Sequence, residues 1–318
     1  MASRRVWRTL GAAALVALAA PAPAAAACSS SSIPRDVPMA LVLSGGGAKG
    51  AYEAGVAATF MERGLPIRLV AGSSAGALNA AMIASGRADR LETMWRGVTR
   101  EQIYTLRTPV ILAGFLPGWL TLFVLNETSS LFDPAPLRDL IAASLDFDAI
   151  RASPVRLLVT ATDLAGREKR VFDNRTVTAD ALMAASAVPG LFPPVEVDGA
   201  LLVDGGLTGR APVLEALEAD ASLRRAVVVM SYAPTERGAS PTTMRRALEE
   251  SFELIMIQQI RRDTELARFR HPAADVQLLT PSLPLLLRPL DFDRDAIARL
   301  LALGRADALA CLEAWERK

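Results

Sequence analysis

Ser74 stands in Gly72-Ser73-Ser74-Ala75-Gly76, behind a glycine-rich loop, Ser44-Gly45-Gly46-Gly47-Ala48-Lys49-Gly50, and ahead of Asp204-Gly205-Gly206. These residue types can carry acyl transfer through a serine ester, with a hydroxyl nucleophile, backbone N–H groups that hold a developing oxyanion, and a carboxylate that accepts the hydroxyl proton. Gly-x-Ser-x-Gly turns the chain from strand to helix so sharply that the flanking positions must lack side chains. This selects Ser74 over Ser73 as nucleophile, with Gly72 and Gly76 as its elbow. Gly45, Gly46 and Gly47 are the expected oxyanion donors, because glycines let successive amides aim at one point.

Two phosphate-binding readings of the same loop fail on detail. A P-loop ends in Gly-Lys-Ser/Thr, whereas Gly50 is followed by Ala51 and Tyr52. A dinucleotide fold needs an acidic residue at the end of the next strand, where Ala71-Gly72 stand. Lys49 is expected to be exposed or at a helix start. Asp204 follows an apolar run, Ala200 to Val203, so a carboxylate is presented at a strand end, where close alignment must compensate for its low basicity. Asp198-Gly199, six residues earlier, reads as a plain hairpin turn.

Positioning these groups requires alternating strands and helices. The apolar run Met39-Ala40-Leu41-Val42-Leu43 reads as a buried parallel strand, followed by a helix over 51–63, a strand over 67–71 and a small-residue helix over 75–85. Further strands are expected at 155–162, 169–172, 195–203 (a hairpin about Asp198-Gly199), 226–231 and 276–279. Further helices are expected at 136–143, 179–186, 243–269 and 293–315. The alternation indicates one α/β domain over 38–318 with a mostly parallel sheet and its chemistry at the strand C-termini. The uncharged stretch 110–125 is too short to span a bilayer and is broken by Pro117-Gly118. Three readings stay open for it: packing against the sheet, a flap at the site mouth, or a surface that dips into a membrane. Leu283 to Leu287 carries the same ambiguity.

Residues 1–27 have the layout of a secretory signal peptide, with Arg4, Arg5 and Arg8, an uncharged segment and small residues before Cys28. Ala25-Ala26-Ala27-Cys28 followed by four serines resembles a lipoprotein processing site, so Cys28 is the lipidation candidate and 28–37 the expected flexible tether. This would place the protein at the cell envelope, anchored to a membrane. The alternative is ordinary cleavage near Ala27, with Cys28 and Cys311, the two cysteines, free to pair in an oxidising compartment. The leader removes three of 35 basic residues and none of the 34 acidic ones, so nothing suggests a nucleic-acid surface.

With these motifs in place, the chain resembles the patatin-like phospholipases. The matching elements are the Gly-Gly-Gly-Ala-Lys-Gly loop, Gly-Ser-Ser-Ala-Gly, the segment from Ala184 to Pro194 and Asp204-Gly205-Gly206, which together cover about 39–212. The resemblance implies a three-layer α/β/α fold and a Ser-Asp dyad, here Ser74 and Asp204, with Gly45, Gly46 and Gly47 as the oxyanion hole. It implies phospholipid or another lipid ester as substrate, work at a membrane surface, no cofactor and no metal. One departure is Arg210-Ala211-Pro212, where members often carry Asn before the proline; it puts local support of the Asp204 loop in question. Two rival readings remain: an α/β-hydrolase esterase with a Ser74-Asp204-His271 triad, and a non-catalytic lipid-binding envelope protein.

Overall fold

The computed structural model describes residues 28–234, 238 and 240–316, so the expected leader over 1–27 lies outside the described residues. In chain order the elements are β1 (Met39–Leu43), α1 (Gly50–Glu62), β2 (Ile67–Gly72), α2 (Ala75–Ala84), α3 (Leu91–Gly97), β3 (Thr105–Leu106), α4 (Thr108–Ala113), α5 (Gly118–Glu127) and β4 (Phe132–Asp133). They continue with α6 (Ala135–Ser144), α7 (Phe147–Ala152), β5 (Arg156–Asp163), β6 (Glu168–Asp173), α8 (Ala179–Ala185), β7 (Val195–Val197) and β8 (Ala200–Asp204). The last are α9 (Val213–Ala219), β9 (Arg225–Val229), α10 (Met244–Arg270), β10 (Asp275–Leu279) and α11 (Arg294–Glu316).

The main sheet runs β10-β9-β1-β2-β5-β8-β7, with β6 also paired to β5. The strands from β10 to β5 are parallel, whereas β8 and β6 run antiparallel to β5. The central strands are apolar throughout because helices cover both faces. Alternation along β1 divides the core: Met39, Leu41 and Leu43 pack with α1, α2, α8 and α11, whereas Ala40 and Val42 pack with α9 and α10. The result is the three-layer α/β/α arrangement.

The stretch 110–125 is broken as its sequence requires, into α4 and α5 on either side of Pro117. Leu112 and Phe115 are exposed, Phe115 by 86%, so this stretch is not packed core. Among the described residues no helix is long and apolar enough to cross a membrane.

The N-terminal segment overturns two expectations. Cys28 is bonded to Cys311 of α11, across 283 residues, and this uses the sulfur that a lipid thioether would need. The stretch 28–37 is no free tether either. Ser29 is bonded to Gln277, and the buried Arg225 guanidinium donates to Ser31 Oγ and to the Ile33 and Pro34 carbonyls. The residue pattern around Cys28 is local, whereas what holds it is brought from the other end of the chain.

Candidate active site

Between β2 and α2 the backbone reverses within two residues, and Ser74 takes φ 54° and ψ −136° to achieve it. A non-glycine residue in that region costs about 1–3 kcal/mol, a strain that persists only where surrounding packing enforces it. The enforcement here is backbone on backbone: a Cβ on Gly76 would lie 2.3 Å from the Leu43 carbonyl oxygen, and one on Gly45 2.5 Å from that of Ser73. Ser74 begins α2 without capping it by its side chain, so its hydroxyl is not spent on the helix. The Ser73 hydroxyl, by contrast, donates to the Arg210 carbonyl oxygen (3.0 Å).

Register brings Asp204 to the same place. Gly72 of β2 pairs with Val159 of β5, and Ala161, two residues on, pairs with Asp204 at the end of β8. The segment 185–187 holds both residues: the Ser74 amide donates to the Ala185 carbonyl and the Asp204 amide to that of Ala187, each at 2.9 Å. Thr162 Oγ1 donates to the Asp204 carbonyl (2.9 Å). The carboxylate is buried, with Oδ1 accepting from the Gly206 amide (2.7 Å) and Oδ2 accepting no closed hydrogen bond. Burial pushes the Asp204 carboxyl above its ordinary range; the Arg210 guanidinium, the Gly206 amide and the nearby Ser74 hydroxyl pull against that. A carboxylate made more basic by burial suits proton acceptance better than a solvated one.

The glycine loop differs from expectation in one donor. The Gly45 amide is spent within the fold: it donates to Glu53 Oε1 (2.8 Å), which also accepts from Ser44 Oγ (3.0 Å). Gly45 is therefore no oxyanion donor; it is glycine because its φ is +74° and the Ser73 backbone leaves no room for a side chain. Ala48 is committed too, to the Pro289 carbonyl (2.7 Å), whereas the Gly46 and Gly47 amides bond to no protein group among the described residues. Lys49 stands at the start of α1, one of the two places expected for it, and is buried there, with its Nζ 4.5 Å from the Tyr232 ring centroid and 3.6 Å from Glu253.

Two buried charges beside this loop were not singled out from the sequence as site residues. Glu53, on α1, is fully enclosed, and desolvation pushes its carboxyl up to about 7 against the pull of Gly45, Ser44, Ser231 and Arg210. Arg210, the departure noted above, lies within electrostatic reach of both Asp204 and Glu53.

The remaining candidates fall elsewhere. His271 ends α10, four residues before β10 begins at Asp275, whose register partner is Arg225 and, one strand on, Met39. It therefore lies at the N-terminal edge of the parallel strands, opposite Ser74, and no triad forms. Asp198 is exposed in the Asp198-Gly199 turn, both residues having positive φ as a tight hairpin requires. No group of residues fit to hold a metal occurs among the described residues. Beyond Ser74 along α2, Leu78 and Met82 floor an apolar cleft closed by Met94, Trp95, Ile141 and Phe292. The spacing of four residues puts Ser74, Leu78 and Met82 on one helix face.

The family model for patatin-like phospholipase matches residues 41–217. An uncharacterised NTE family protein of Mycobacterium tuberculosis is 34% identical over 213 residues, covering 66% of this chain and 54% of that protein. A cGAMP-activated phospholipase of Pseudomonas aeruginosa is 31% identical over 194 residues, covering 55% of this chain and 54% of its own. The chain thus spans about half the length of these relatives. Among solved structures, VipD from Legionella pneumophila aligns with a TM-score of 0.51 at 15% identity, over 91% of this chain and 70% of its own, a likeness of fold.

Proposed function

The chain belongs to the patatin-like phospholipase family, and on that premise we propose that it is a serine acyl hydrolase that cleaves carboxylic esters of lipids through a Ser74-Asp204 dyad. One observation carries this reading. Ser74, on a strained turn, and Asp204, whose buried Oδ2 closes no hydrogen bond, are held side by side by backbone hydrogen bonds from their amides to a single three-residue segment. In the first step Oγ bonds to the ester carbonyl carbon, its proton passes to Oδ2, and the carbonyl π pair moves onto oxygen opposite the free Gly46 and Gly47 amides. Collapse expels the alcohol, which takes the proton back, and water repeats the sequence to release the acid.

The apolar side chains along Leu78 and Met82 suit contact with an acyl chain, and the exposed Leu112 and Phe115 suit the edge of a bilayer. Export is supported by the leader pattern in residues 1–27 and by the Cys28–Cys311 disulfide, which suits an oxidising compartment. Purified protein assayed on phosphatidylcholine, lysophosphatidylcholine and p-nitrophenyl butyrate is expected to hydrolyse a lipid ester and the short ester, with both activities lost in Ser74→Ala. Lipid binding without turnover of any ester would favour the non-catalytic reading and end this one.

A further inference from the structure

With Gly45 committed to Glu53, the oxyanion site has fewer amides than the glycine run promises, and a guanidinium stands beside Gly46, the first of the two that remain. Arg210 is only 4% exposed. Its Nε is sealed from solvent with no partner, and its two terminal nitrogens close no hydrogen bond to protein among the described residues. A terminal nitrogen lies 3.6 Å from where a Cβ on Gly46 would stand. The other is 2.9 Å from the corresponding position on Gly206, which is itself 2.9 Å from Asp204 Oδ1. The guanidinium thus reaches from the aspartate loop to the glycine loop and pairs with neither carboxylate: Glu53 Oε2 and Asp204 Oδ2 also accept no closed hydrogen bond. A planar fork of N–H donors buried beside a nucleophile and left unpaired is completed by an anionic oxygen.

We propose that Arg210 is a catalytic residue: one of its terminal N–H groups joins the Gly46 and Gly47 amides in holding the oxygen that becomes negative when Ser74 Oγ adds to the ester carbonyl. This rests on the Ser74-Asp204 reading and assigns its missing donor. The positive charge meets the oxyanion only after the carbonyl π pair has moved, so it stabilises the tetrahedral species over the bound ester. Gly206 is glycine in this account because any side chain there would strike the guanidinium and the Asp204 carboxylate together.

The test compares wild type, Arg210→Gln and Arg210→Lys on p-nitrophenyl butyrate, which has no phosphate, and on phosphatidylcholine micelles. A trifluoromethyl ketone, which adds to the serine as an oxyanion-bearing adduct, serves as inhibitor. Arg210→Gln is expected to lower kcat about 10²- to 10³-fold on both substrates with KM within threefold, and to weaken the ketone by a similar factor. Arg210→Lys is expected to keep the charge but lose the fork, and to fall in between; it carries the test if Arg210→Gln melts early. A rise in KM for phosphatidylcholine alone, with p-nitrophenyl butyrate kinetics intact, would make Arg210 a phosphate receptor and overturn the proposal. So would a loss recovered fully at alkaline pH, since Arg210 would then act only through the Asp204 pKa. Unchanged kcat in both variants would overturn it as well. Absence of ester turnover in wild type would instead be failure of the underlying reading.

Discussion

Two buried arginines sit at opposite ends of the sheet and are treated in opposite ways. Arg225, at the N-terminal edge of the parallel strands, is 0% exposed and engaged through its terminal nitrogens: they donate to Ser31, Ile33 and Pro34, while its Nε closes no hydrogen bond but lies 3.5 Å from Asp275, and the guanidinium sits over the Trp315 ring at 4.1 Å. Arg210, at the C-terminal edge, is nearly as buried, and its guanidinium closes no hydrogen bond among the described residues. The first arrangement ties the N-terminal segment and α11 to the strand ends, next to the disulfide. The second leaves charge uncommitted beside a strained serine. The Arg225 terminal nitrogens are spent on the fold, whereas those of Arg210 are left for a substrate oxygen to complete the set.

The largest effect is expected at the dyad. Ser74→Ala and Asp204→Asn are each expected to lower kcat/KM by about 10⁴-fold or more, and the double variant no further, because nucleophile and base act as a unit. Asp198→Asn, at an exposed turn, is expected to retain most activity. An inactive Asp198→Asn beside an active Asp204→Asn would reverse the assignment of the base.

At the other end the effect should be on folding alone. Arg225→Met removes the donors that Ser31, Ile33 and Pro34 use and leaves Asp275 without its ion pair, a loss of about 3–5 kcal/mol. In a chain of this size that lowers Tm by roughly 10 °C. Kinetics measured well below the transition are expected to stay within twofold of wild type. A collapse of kcat without a change in melting would erase the division between the two ends.

Glu53 sharpens the division, since it is a structural residue at the catalytic end. Its carboxyl titrates near 7 when folded against 4.5 ordinarily, so the folded protein holds the extra proton between those values. Stability therefore falls as pH rises from about 4.5 to 7, by about 3 kcal/mol in all. Glu53→Gln keeps an acceptor for the Gly45 amide and removes the titration, so denaturation midpoints followed from pH 5 to 7 are expected to lose that part of their slope. Parallel profiles for variant and wild type would show that Glu53 does not titrate there. Asp204 gives a separate signature: it works ionised and its carboxyl is raised, so kcat/KM is expected to fall on acidification at a pH above that typical of an aspartate.

Much of this was legible in the sequence because it is local. The turn at Ser74, the hairpin at Asp198-Gly199 and the break at Pro117 follow from glycine, proline and apolar spacing, and they appear where those residues stand. What escaped depends on residues far apart in the chain. Cys28 reads either as a lipid anchor or as half of a pair with Cys311, and only the fold, in which α11 brings Cys311 to it, decides between them. The place of Lys49 at a helix start is legible, but its burial is not, because Tyr232 and Glu253 close over it. The loss of Gly45 as a donor left one visible trace, a lone acidic residue early in the otherwise uncharged run from Gly50 to Phe60 of a buried helix. Arg210 was visible as a departure from the family pattern, but its lack of partners is a property of the folded loops.

The smallest effect belongs to His271, which a triad would need and a dyad does not. His271→Ala is expected to leave kcat/KM within about threefold, less than ~1 kcal/mol in barrier. A loss comparable to that of Ser74→Ala, in folded protein, would restore the triad.

The most direct test of the central claim is reaction with a fluorophosphonate, which forms a covalent bond only with an activated serine, followed by mass spectrometry of the digested protein. The expected result is one adduct per chain on Ser74, absent in Ser74→Ala, strongly slowed in Asp204→Asn and unaffected in His271→Ala. An adduct on another serine, or none on folded wild-type protein, would contradict the assignment of Ser74 and Asp204 as the acyl-transfer dyad.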